Sequence, residues 1–346
     1  MNQIHDINNA RVLVTGGSGF IGTNIMQYFI SNEIEARNFD INPPINSEHS
    51  SLWEEVDIVN FDLLKSKIAN YEPTHILHLG AATGMDVKDI SFFAANIDGV
   101  ENIIKCAEEI KSIKQIVFTS SLLVCRLGYL PKHDTDYCPP NLYGKSKMMG
   151  EKIVRGLKSP SFSWTIVRPT MVWGPWFWFS TKRTFFMLID KGLYWHPKSK
   201  PLVKPMTYVG NTVFMMTNCL FGPVERVNGK TFYLADYPKH TIQEWANNIQ
   251  FNLQKKVIKT VPIWLLRLVA YIGDLIKFVR LPEPPLTSFR LNNILTEGDY
   301  PIADIQELCQ KLPYSLDDGV KATAQWLYKR GDISTMPVDE NATFED

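Results

Sequence analysis

The feature that most constrains the fold is the order strand, glycine turn and helix near the start of the chain. Residues 11 to 15, RVLVT, form a short β-branched run, GGSGFIG follows, and TNIMQYFISN then has helical apolar spacing. Further strand patterns occur in IEARNFD, THILHLGAA, IKQIVFTSS and WTIVRPT, and helical patterns occur between them. Strands that alternate with helices predict an α/β fold with a doubly wound parallel sheet.

The texture of the sequence changes after this alternating part, which indicates a second region. We predict a Rossmann-type sheet domain over residues 1–174 and a smaller, mostly helical substrate-binding region over residues 175–346. Residues 206–240 are expected to return to the sheet domain. A chain of 346 residues is long enough for two such coupled parts.

Charge and cysteine content exclude several classes of function. The 36 Lys and Arg residues balance the 36 Asp and Glu residues, so no general positive field attracts nucleic acid or an anionic membrane. The five cysteines are scattered and form no C-x-x-C pair, so we expect neither a disulfide framework nor a metal site. The N-terminus lacks the residue order of a signal peptide, and a cytoplasmic enzyme is the expectation.

One apolar run, PIWLLRLVAYIGDLIKFV at residues 262 to 279, approaches the length of a membrane span. Arg267, Asp274 and Lys277 interrupt it, and each of these charges is costly in hydrocarbon. We therefore expect no membrane span, and we favour a helix buried within the protein over one that contacts a membrane.

The glycine turn predicts a dinucleotide site. Gly16, Gly19 and Gly22 lie between the first strand and the first helix, in the pattern G-x-x-G-x-x-G. Glycines allow the backbone to approach a pyrophosphate, and the helix N-terminus supplies unpaired N–H groups and the positive end of a dipole.

An acidic residue follows the turn at the expected distance. Asp40 ends the second strand, where a carboxylate accepts the adenosine ribose hydroxyls and repels a 2′-phosphate. This favours NAD over NADP, although Arg37 lies nearby and keeps NADP possible. Asp62, in NFDLL, either contacts the adenine or is a solvated turn residue.

A tyrosine and a lysine stand four residues apart in NLYGKSKMMG. On a helix Tyr143 and Lys147 share one face, either as a catalytic pair or as a surface tyrosine packed on a lysine stem. Ser121 follows the strand IVFTSS, so its hydroxyl can meet Tyr143 at the carboxyl end of the sheet. We predict that Tyr143 exchanges a proton with a substrate oxygen that Ser121 holds. Lys147 and the nicotinamide ring are expected to lower the phenol pKa.

Together these motifs resemble the extended short-chain dehydrogenase/reductase family of nucleotide-sugar epimerases, dehydratases and reductases. The resemblance covers nearly the whole chain and rests on TGGSGFIG (15–22), Asp40, FDL (61–63), HLGAA (78–82), Asn96, FTSS (118–121), YGKSK (143–147) and RPTMVWGP (168–175). It implies that Ser121, Tyr143 and Lys147 are catalytic. The residues that it implies for cofactor binding are Gly16, Gly19, Phe20, Ile21, Gly22, Asp40, Asp62, Leu63, Ala81, Ala82, Asn96, Thr119, Tyr143, Lys147, Arg168 and Pro169.

The resemblance further implies a substrate and an assembly state. A nucleoside-diphosphate sugar is the expected substrate, and a homodimer is the expected assembly. Arg183, Lys204 and Arg290 are candidates for holding the diphosphate, and each can equally be a surface charge. The reaction is expected to be that of a 4-epimerase or a 4-ketosugar reductase. Leu122 and Leu123 follow Ser121 where the family's 4,6-dehydratases carry an acidic pair, which counts against dehydration.

Two alternatives stay open. PPLTSFRLNNI and LPYSLDDGVKATAQWL are similar to the 3β-hydroxysteroid dehydrogenase branch of the same superfamily. A cofactor-bound scaffold without activity is a further alternative, although it usually lacks the catalytic Tyr or Lys. The aromatic cluster Trp173, Trp176, Phe177 and Trp178 either stacks on a base or sugar or packs between the two domains.

Overall fold

The computed structural model describes residues 9–85, 87–177, 185–278, 284 and 286–337. The strands are β1 Arg11–Thr15, β2 Glu35–Asp40, β3 Trp53–Glu55, β4 His75–His78, β5 Gln115–Thr119, β6 Ser163–Pro169, β7 Met171–Trp173, β8 His196–Pro197, β9 Val203–Lys204, β10 Met206–Tyr208, β11 Lys230–Leu234, β12 His240–Thr241 and β13 Thr260–Val261. The helices are α1 Phe20–Ser31, α2 Phe61–Tyr71, α3 Ala94–Glu109, α4 Leu142–Arg155, α5 Phe185–Asp190, α6 Val209–Phe221, α7 Val224–Val227, α8 Ile242–Asn252, α9 Ile263–Phe278, α10 Ser288–Leu295, α11 Ala303–Cys309 and α12 Leu316–Lys329.

A seven-stranded parallel sheet forms the centre of the molecule, in the order β11-β6-β5-β4-β1-β2-β3. The order runs outward in both directions from the β1–β4 pair. Parallel strands need crossover connections, and helices supply them on both faces of the sheet. The predicted doubly wound α/β fold is therefore confirmed. β11, from the 206–240 segment, pairs in parallel with β6 in this same sheet.

Each face of the sheet carries its own apolar core. On one face α1 and α6 contribute side chains such as Phe29 and Met216. On the other, α2 and α3 contribute side chains such as Ile68 and Ile103. Tyr300 and Leu308 also join the first core, so part of the 175–346 region packs on the sheet domain.

A third core lies outside the sheet, where β7 and β10 meet α8 and α12. Trp173 is buried there, with its ring 5.3 Å from the rings of both Tyr208 and Trp245. The structure therefore gives Trp173 a packing role between segments, which was one of the two interpretations of the aromatic cluster.

Helix α9 is buried on one side only. Leu266 and Ala270 pack against Leu291 of α10, whereas Trp264 and Tyr271 on the opposite side are exposed. The expectation of a buried helix is thus wrong for half of its surface. In the part of the chain that the structure describes, no helix combines the length and apolar character that a membrane crossing requires.

Candidate active site

The glycine turn between β1 and α1 packs tightly against the end of β4. Gly16 has a φ of 74°, and a Cβ there would lie 2.6 Å from the backbone nitrogen of Gly80. A Cβ on Gly22 would lie 2.3 Å from the Gly16 carbonyl oxygen. Gly19 is the N-cap of α1, and no side chain among the described residues caps that end. A backbone-lined cradle at a helix N-terminus results, which suits a pyrophosphate.

Phe20 and Ile21 form the first residues of α1 beside this cradle. The Phe20 ring lies 4.7 Å from the Phe177 ring, and Ile21 packs against two of the apolar cores. Their side chains therefore fix the direction of α1, while their backbone groups stay at the helix N-terminus where an anion binds.

Asp40 lies against the glycine turn. Its Oδ2 accepts a hydrogen bond from the Ser18 N–H at 3.1 Å, and its Oδ1 accepts one from Asn42 at 2.9 Å. Burial raises the pKa of Asp40, and the backbone hydrogen bonds oppose this. Arg37 belongs to the opposite face of β2, because side chains alternate along a strand, and it donates to the Ser51 carbonyl.

Asp62 and Leu63 lie in the first turn of α2, and both are exposed. The N-cap residue Asn60 accepts a hydrogen bond from the Leu63 N–H at 3.2 Å. The structure records no further polar contact for Asp62 among the described residues, so its role at the adenine stays a prediction.

Asn96 joins the loop after β4 to helix α4. Its Oδ1 accepts from the Ala82 N–H at 2.8 Å, and its Nδ2 donates to the Ala82 carbonyl at 3.1 Å and to Ser146 Oγ at 2.8 Å. Ser146 in turn donates to the Tyr143 carbonyl at 2.7 Å. Asn96 therefore holds the Ala81–Ala82 loop beside the helix that carries Tyr143.

The structure brings Ser121 and Tyr143 together, close enough for the Ser121 hydroxyl to affect the pKa of Tyr143. Ser121 follows the end of β5 and Tyr143 lies in the first turn of α4, where Asn141 is the N-cap. Burial raises the pKa of Tyr143, and the nearby Ser121 hydroxyl lowers it by a smaller amount. The expectation of a lowered pKa is thus corrected for the protein alone, because burial outweighs the other effects.

Lys147 lies one helical turn beyond Tyr143 and is buried. Its Nζ donates to the Thr119 carbonyl oxygen at 2.9 Å, at the end of β5. Burial lowers the pKa of Lys147 to about 8, and Glu151 opposes this shift. The same region buries His78, and burial together with the Lys147 charge lowers its pKa to about 3. The Lys147 ammonium is therefore a buried cation held at the strand ends.

Arg168 is buried, and its described hydrogen bonds are all to protein groups, so its contact with the cofactor stays a prediction. Its Nε and Nη2 donate to the two Glu151 oxygens at 2.8 and 2.6 Å, and its Nη1 donates to Tyr233 at 2.8 Å. Ser120 also donates to Glu151, at 2.5 Å. Each guanidinium nitrogen already has a protein partner, so Arg168 fastens α4 to the sheet, and Pro169 ends β6 beside it.

Glu151 is the residue that sequence reasoning missed. It lies on α4 one turn beyond Lys147, and its side chain is buried. The available signal was an acid at i+4 from a candidate catalytic lysine, on the face that must turn toward the sheet. A buried ion pair of this kind holds α4 in one orientation through two parallel hydrogen bonds.

The predicted diphosphate cations lie around α10. Lys204 is buried, and its Nζ donates to the carbonyl oxygens of Asn293 and Thr296 at the C-terminal end of α10. Burial lowers the pKa of Lys204 to about 8. Arg290 lies on α10 and donates to the Pro284 carbonyl at 2.8 Å. Arg183 lies outside the described residues, as does Trp178.

The chain belongs to the NAD-dependent epimerase/dehydratase family, whose model matches residues 12–204. It is therefore an NAD-dependent enzyme of the extended short-chain dehydrogenase type. The glycine cradle fits this cofactor, because it offers backbone N–H groups to a pyrophosphate and a carboxylate, that of Asp40, nearby.

Three curated relatives have similar sequences at low identity. An Escherichia coli O157:H7 N-acetyl-α-D-glucosaminyl-diphospho-ditrans,octacis-undecaprenol 4-epimerase is 25% identical, covering 94% of this chain and 98% of that protein. A Vibrio cholerae UDP-glucose 4-epimerase is 27% identical, covering 91% and 94%. A Mycolicibacterium neoaurum 3-β-hydroxysteroid dehydrogenase is 26% identical, covering 69% of each chain.

Two solved structures share the fold. The UDP-glucose 4-epimerase of Thermotoga maritima, solved with UDP-glucose, superposes with a TM-score of 0.69 at 18% identity, covering 92% of this chain and 99% of that one. The UDP-glucose 4-epimerase of Thermus thermophilus, a complex with NAD, gives 0.66 at 19% identity, covering 93% and 99%.

Proposed function

We propose that this protein is a 4-epimerase or a 4-ketosugar reductase of nucleoside-diphosphate sugars, with Tyr143 as acid and base. The observation that carries the proposal is the meeting of Ser121 with Tyr143, close enough for the Ser121 hydroxyl to lower the pKa of the phenol. It lies at the end of β5, where the Thr119 carbonyl also holds the Lys147 ammonium. A hydroxyl, a phenol and a cation at one strand end form a site for moving a proton on a substrate oxygen.

When bound, NAD supplies the acceptor and donor of hydride. The glycine turn and Asp40 would hold it, and Lys147 would reach its nicotinamide ribose. Ser121 Oγ orients the sugar hydroxyl toward Tyr143. Tyr143 Oη then removes the hydroxyl proton as the carbon that bears this hydroxyl loses hydride. In the reverse step Tyr143 returns a proton to the carbonyl oxygen.

The protonation state of Tyr143 favours one direction of proton transfer. Since burial raises its pKa, the protein alone holds the neutral phenol, which can donate a proton to a carbonyl oxygen. Removal of a proton from a sugar hydroxyl requires the phenolate, which the Lys147 charge on the same helix face stabilises as substrate orders the site.

The substrate proposal rests on a diphosphate. The Vibrio cholerae relative is named for a UDP-sugar, and the Escherichia coli relative for a sugar joined through diphosphate to undecaprenol. Lys204 supports it, because its described hydrogen-bond acceptors are backbone carbonyls rather than carboxylates. We propose a nucleoside diphosphate as the carrier, and a lipid diphosphate is the first alternative to test. A homodimer remains part of this proposal.

A second candidate is a hydroxysteroid dehydrogenase-like activity. The observation in its favour is the 26% identical Mycolicibacterium neoaurum relative, which covers 69% of each chain. Ser121, Tyr143 and Lys147 suit this reaction equally well, since it also moves a proton and a hydride at a secondary alcohol.

The experiment that tests the proposal follows the product. Purified enzyme with NAD or NADH is incubated with UDP-, dTDP- and GDP-sugars, and NMR is used to find inversion or reduction at C4. Inversion with no net change in NADH absorbance identifies an epimerase, and stoichiometric loss of NADH identifies a reductase. Turnover of a steroid alcohol without turnover of any sugar nucleotide would support the second candidate instead.

A further inference from the structure

Helix α9 has one face that the described residues leave uncovered. Trp264, Leu268, Tyr271 and Leu275 are 68%, 51%, 60% and 50% exposed. Their spacing of i, i+4, i+7 and i+11 places them in one stripe along the helix. Ile272, also exposed, widens the stripe. Five large apolar side chains in a contiguous stripe on a surface mark a contact site rather than ordinary exposure.

The opposite face of α9 accounts for how the helix is held. Leu266 and Ala270 are buried against Leu291 of α10. Gly273 lies against the segment just before α10, because a Cβ there would clash with the Leu286 carbonyl oxygen. The backbone pairing of β13 with β8 fixes the chain just before the helix. The apolar stripe is thus presented outward by a helix that is fixed from behind.

The exposed charges next to the stripe in sequence are of one sign. Arg267 is exposed beside Trp264 and Leu268, and Lys256 and Lys259 are exposed just before the helix. Asp274 is the only acidic residue between positions 254 and 278, and its Oδ1 accepts a hydrogen bond from the Ser288 N–H at 3.2 Å. That carboxylate is half-buried and engaged at the start of α10, so the exposed charged residues among the described positions of this segment are all cations.

We propose that this face of α9 docks the enzyme on an anionic phospholipid bilayer surface. The stripe enters the boundary between headgroups and acyl chains, where Trp264 and Tyr271 place an apolar ring and a polar tip at the interface. Arg267, Lys256 and Lys259 contact the anionic headgroups. The chain has no net charge, so this attraction is local to one face. The helix lies on the membrane and does not span it.

The same charges argue against a second copy of the chain as the occupant. In a two-fold dimer the same patch meets itself, so Arg267 and the two lysines of both copies would enter one interface. Like charges opposed across an interface weaken it, whereas an anionic lipid surface neutralises all three. The inference concerns this surface alone and does not depend on the reaction proposed above.

Co-sedimentation of the full chain with phospholipid vesicles tests the proposal. We expect binding to phosphatidylcholine vesicles that contain phosphatidylglycerol, at least about tenfold weaker binding to pure phosphatidylcholine, and weakening with added salt. Leu268→Glu should reduce binding to the anionic vesicles by about tenfold or more, because it inserts a charge into the stripe. Arg267→Gln should weaken binding less and reduce its salt dependence.

Val224→Glu is the matched control, since it adds the same charge at an exposed apolar residue of α7. It should leave vesicle binding within about twofold, and all three variants should keep the wild-type Tm and NAD affinity. Absence of wild-type binding, or an equal loss with Val224→Glu, contradicts the proposal. A dimer that Leu268→Glu dissociates, with no binding to vesicles, would assign the face to a second copy instead.

Discussion

The Tyr143 hydroxyl lies near Ser121, which lowers the pKa of the phenol, and the Tyr143 ring lies 6.1 Å from the Phe93 ring. Tyr143→Phe keeps the ring and its packing but removes the group that moves the proton. We expect NAD affinity within a few-fold of wild type and turnover lower by roughly 10²–10⁴-fold. NAD titration and a kcat measurement check this. Tyr328→Phe, at an exposed tyrosine of α12, is the control, and near-normal turnover of Tyr143→Phe would remove Tyr143 from the mechanism.

Lys147 gives a pH prediction. Burial lowers its pKa to about 8 in the fold from 10.5. The unfolded chain binds more protons between these values, so the buried charge costs stability below pH 8 and the cost disappears as pH rises to 10.5. Its full size is about 3 kcal/mol. Lys147→Met removes this dependence on pH. The difference between the Tm of wild type and the Tm of the variant should therefore shift in favour of wild type as pH rises from about 8 to 10.5.

Lys145→Met provides the control for that comparison. Lys145 is an exposed lysine on the same helix. Its replacement should leave the dependence of Tm on pH parallel to that of wild type. Parallel curves for Lys147→Met as well would mean that the Lys147 charge is not buried in the native protein.

We expect Asp40 to determine the choice between NAD and NADP. Its carboxylate lies against the glycine turn, and Arg37 belongs to the other face of β2. Asp40→Ala should weaken NAD binding about tenfold or more, since hydrogen bonds to a charged group are lost. It should also reduce the difference in affinity between NAD and NADP, because no carboxylate then repels the 2′-phosphate. Fluorescence titration of both cofactors measures this, and a wild-type preference for NADP would contradict it.

Individual residues could be predicted where their partners are set by local pattern. Asp40 follows from the end of a strand and its distance from the glycines, and the meeting of Ser121 with Tyr143 follows from the rule for parallel strand ends. Lys204 was harder, because its carbonyl partners lie 89 and 92 residues further along the chain. The environment of Tyr143 likewise depends on burial that no short motif encodes.

At the scale of elements, the turn from β1 to α1 separates two kinds of glycine. A Cβ on Gly22 would collide with the Gly16 carbonyl, whereas on Gly19 its nearest neighbour is that same oxygen at 3.4 Å. Gly22→Ala should therefore lower Tm by several degrees. Gly19→Ala should keep the wild-type Tm and lose NAD affinity about tenfold, because the added methyl occupies the cradle. Thermal unfolding and NAD titration of both variants check this, and an equal loss of Tm would contradict the distinction.

Helix α4 could be predicted from the sequence, but the contacts that attach it to the sheet could not. The helix itself and the shared face of Tyr143 and Lys147 follow from the sequence. Its attachment does not, since the bidentate pair of Glu151 with Arg168 joins a helix to a strand 17 residues away. The cost of burying two charges offsets much of their attraction, so this pair adds little net stability. It still fixes the helix, because separating the partners would leave a buried unpaired charge.

The whole fold could be predicted because alternation of strands and helices admits few topologies. Three-residue β3 escaped prediction, since WEE is too short to show a period. α9 was misjudged for a related reason. A run that is apolar on nearly all sides does not reveal that only one of its faces has a partner in the fold, and that depends on the position of α10.

The last prediction concerns substrate binding by the whole protein. A ligand that binds only the native state raises the free energy of unfolding by mass action, by about 2.7 kcal/mol when its concentration is about 100 times Kd, and so raises Tm. UDP, dTDP or GDP should therefore raise the Tm of the NAD-loaded protein by several degrees. Lys204→Met should reduce this shift and leave the NAD shift unchanged, because Lys204 belongs to β9, outside the central sheet.

Lys200→Met is the matched control, since Lys200 is exposed, pairs with Glu297 at 2.8 Å and lies four residues from Lys204. It should retain the full nucleotide shift. A rise in Tm with a polyprenyl diphosphate, and none with any nucleotide, would show that the site binds a diphosphate whose carrier is a lipid rather than a nucleoside. Stabilisation by a steroid alcohol alone would assign the site to the hydroxysteroid reaction. An uncharged ligand gains nothing from the buried Lys204 cation, whereas two phosphates would.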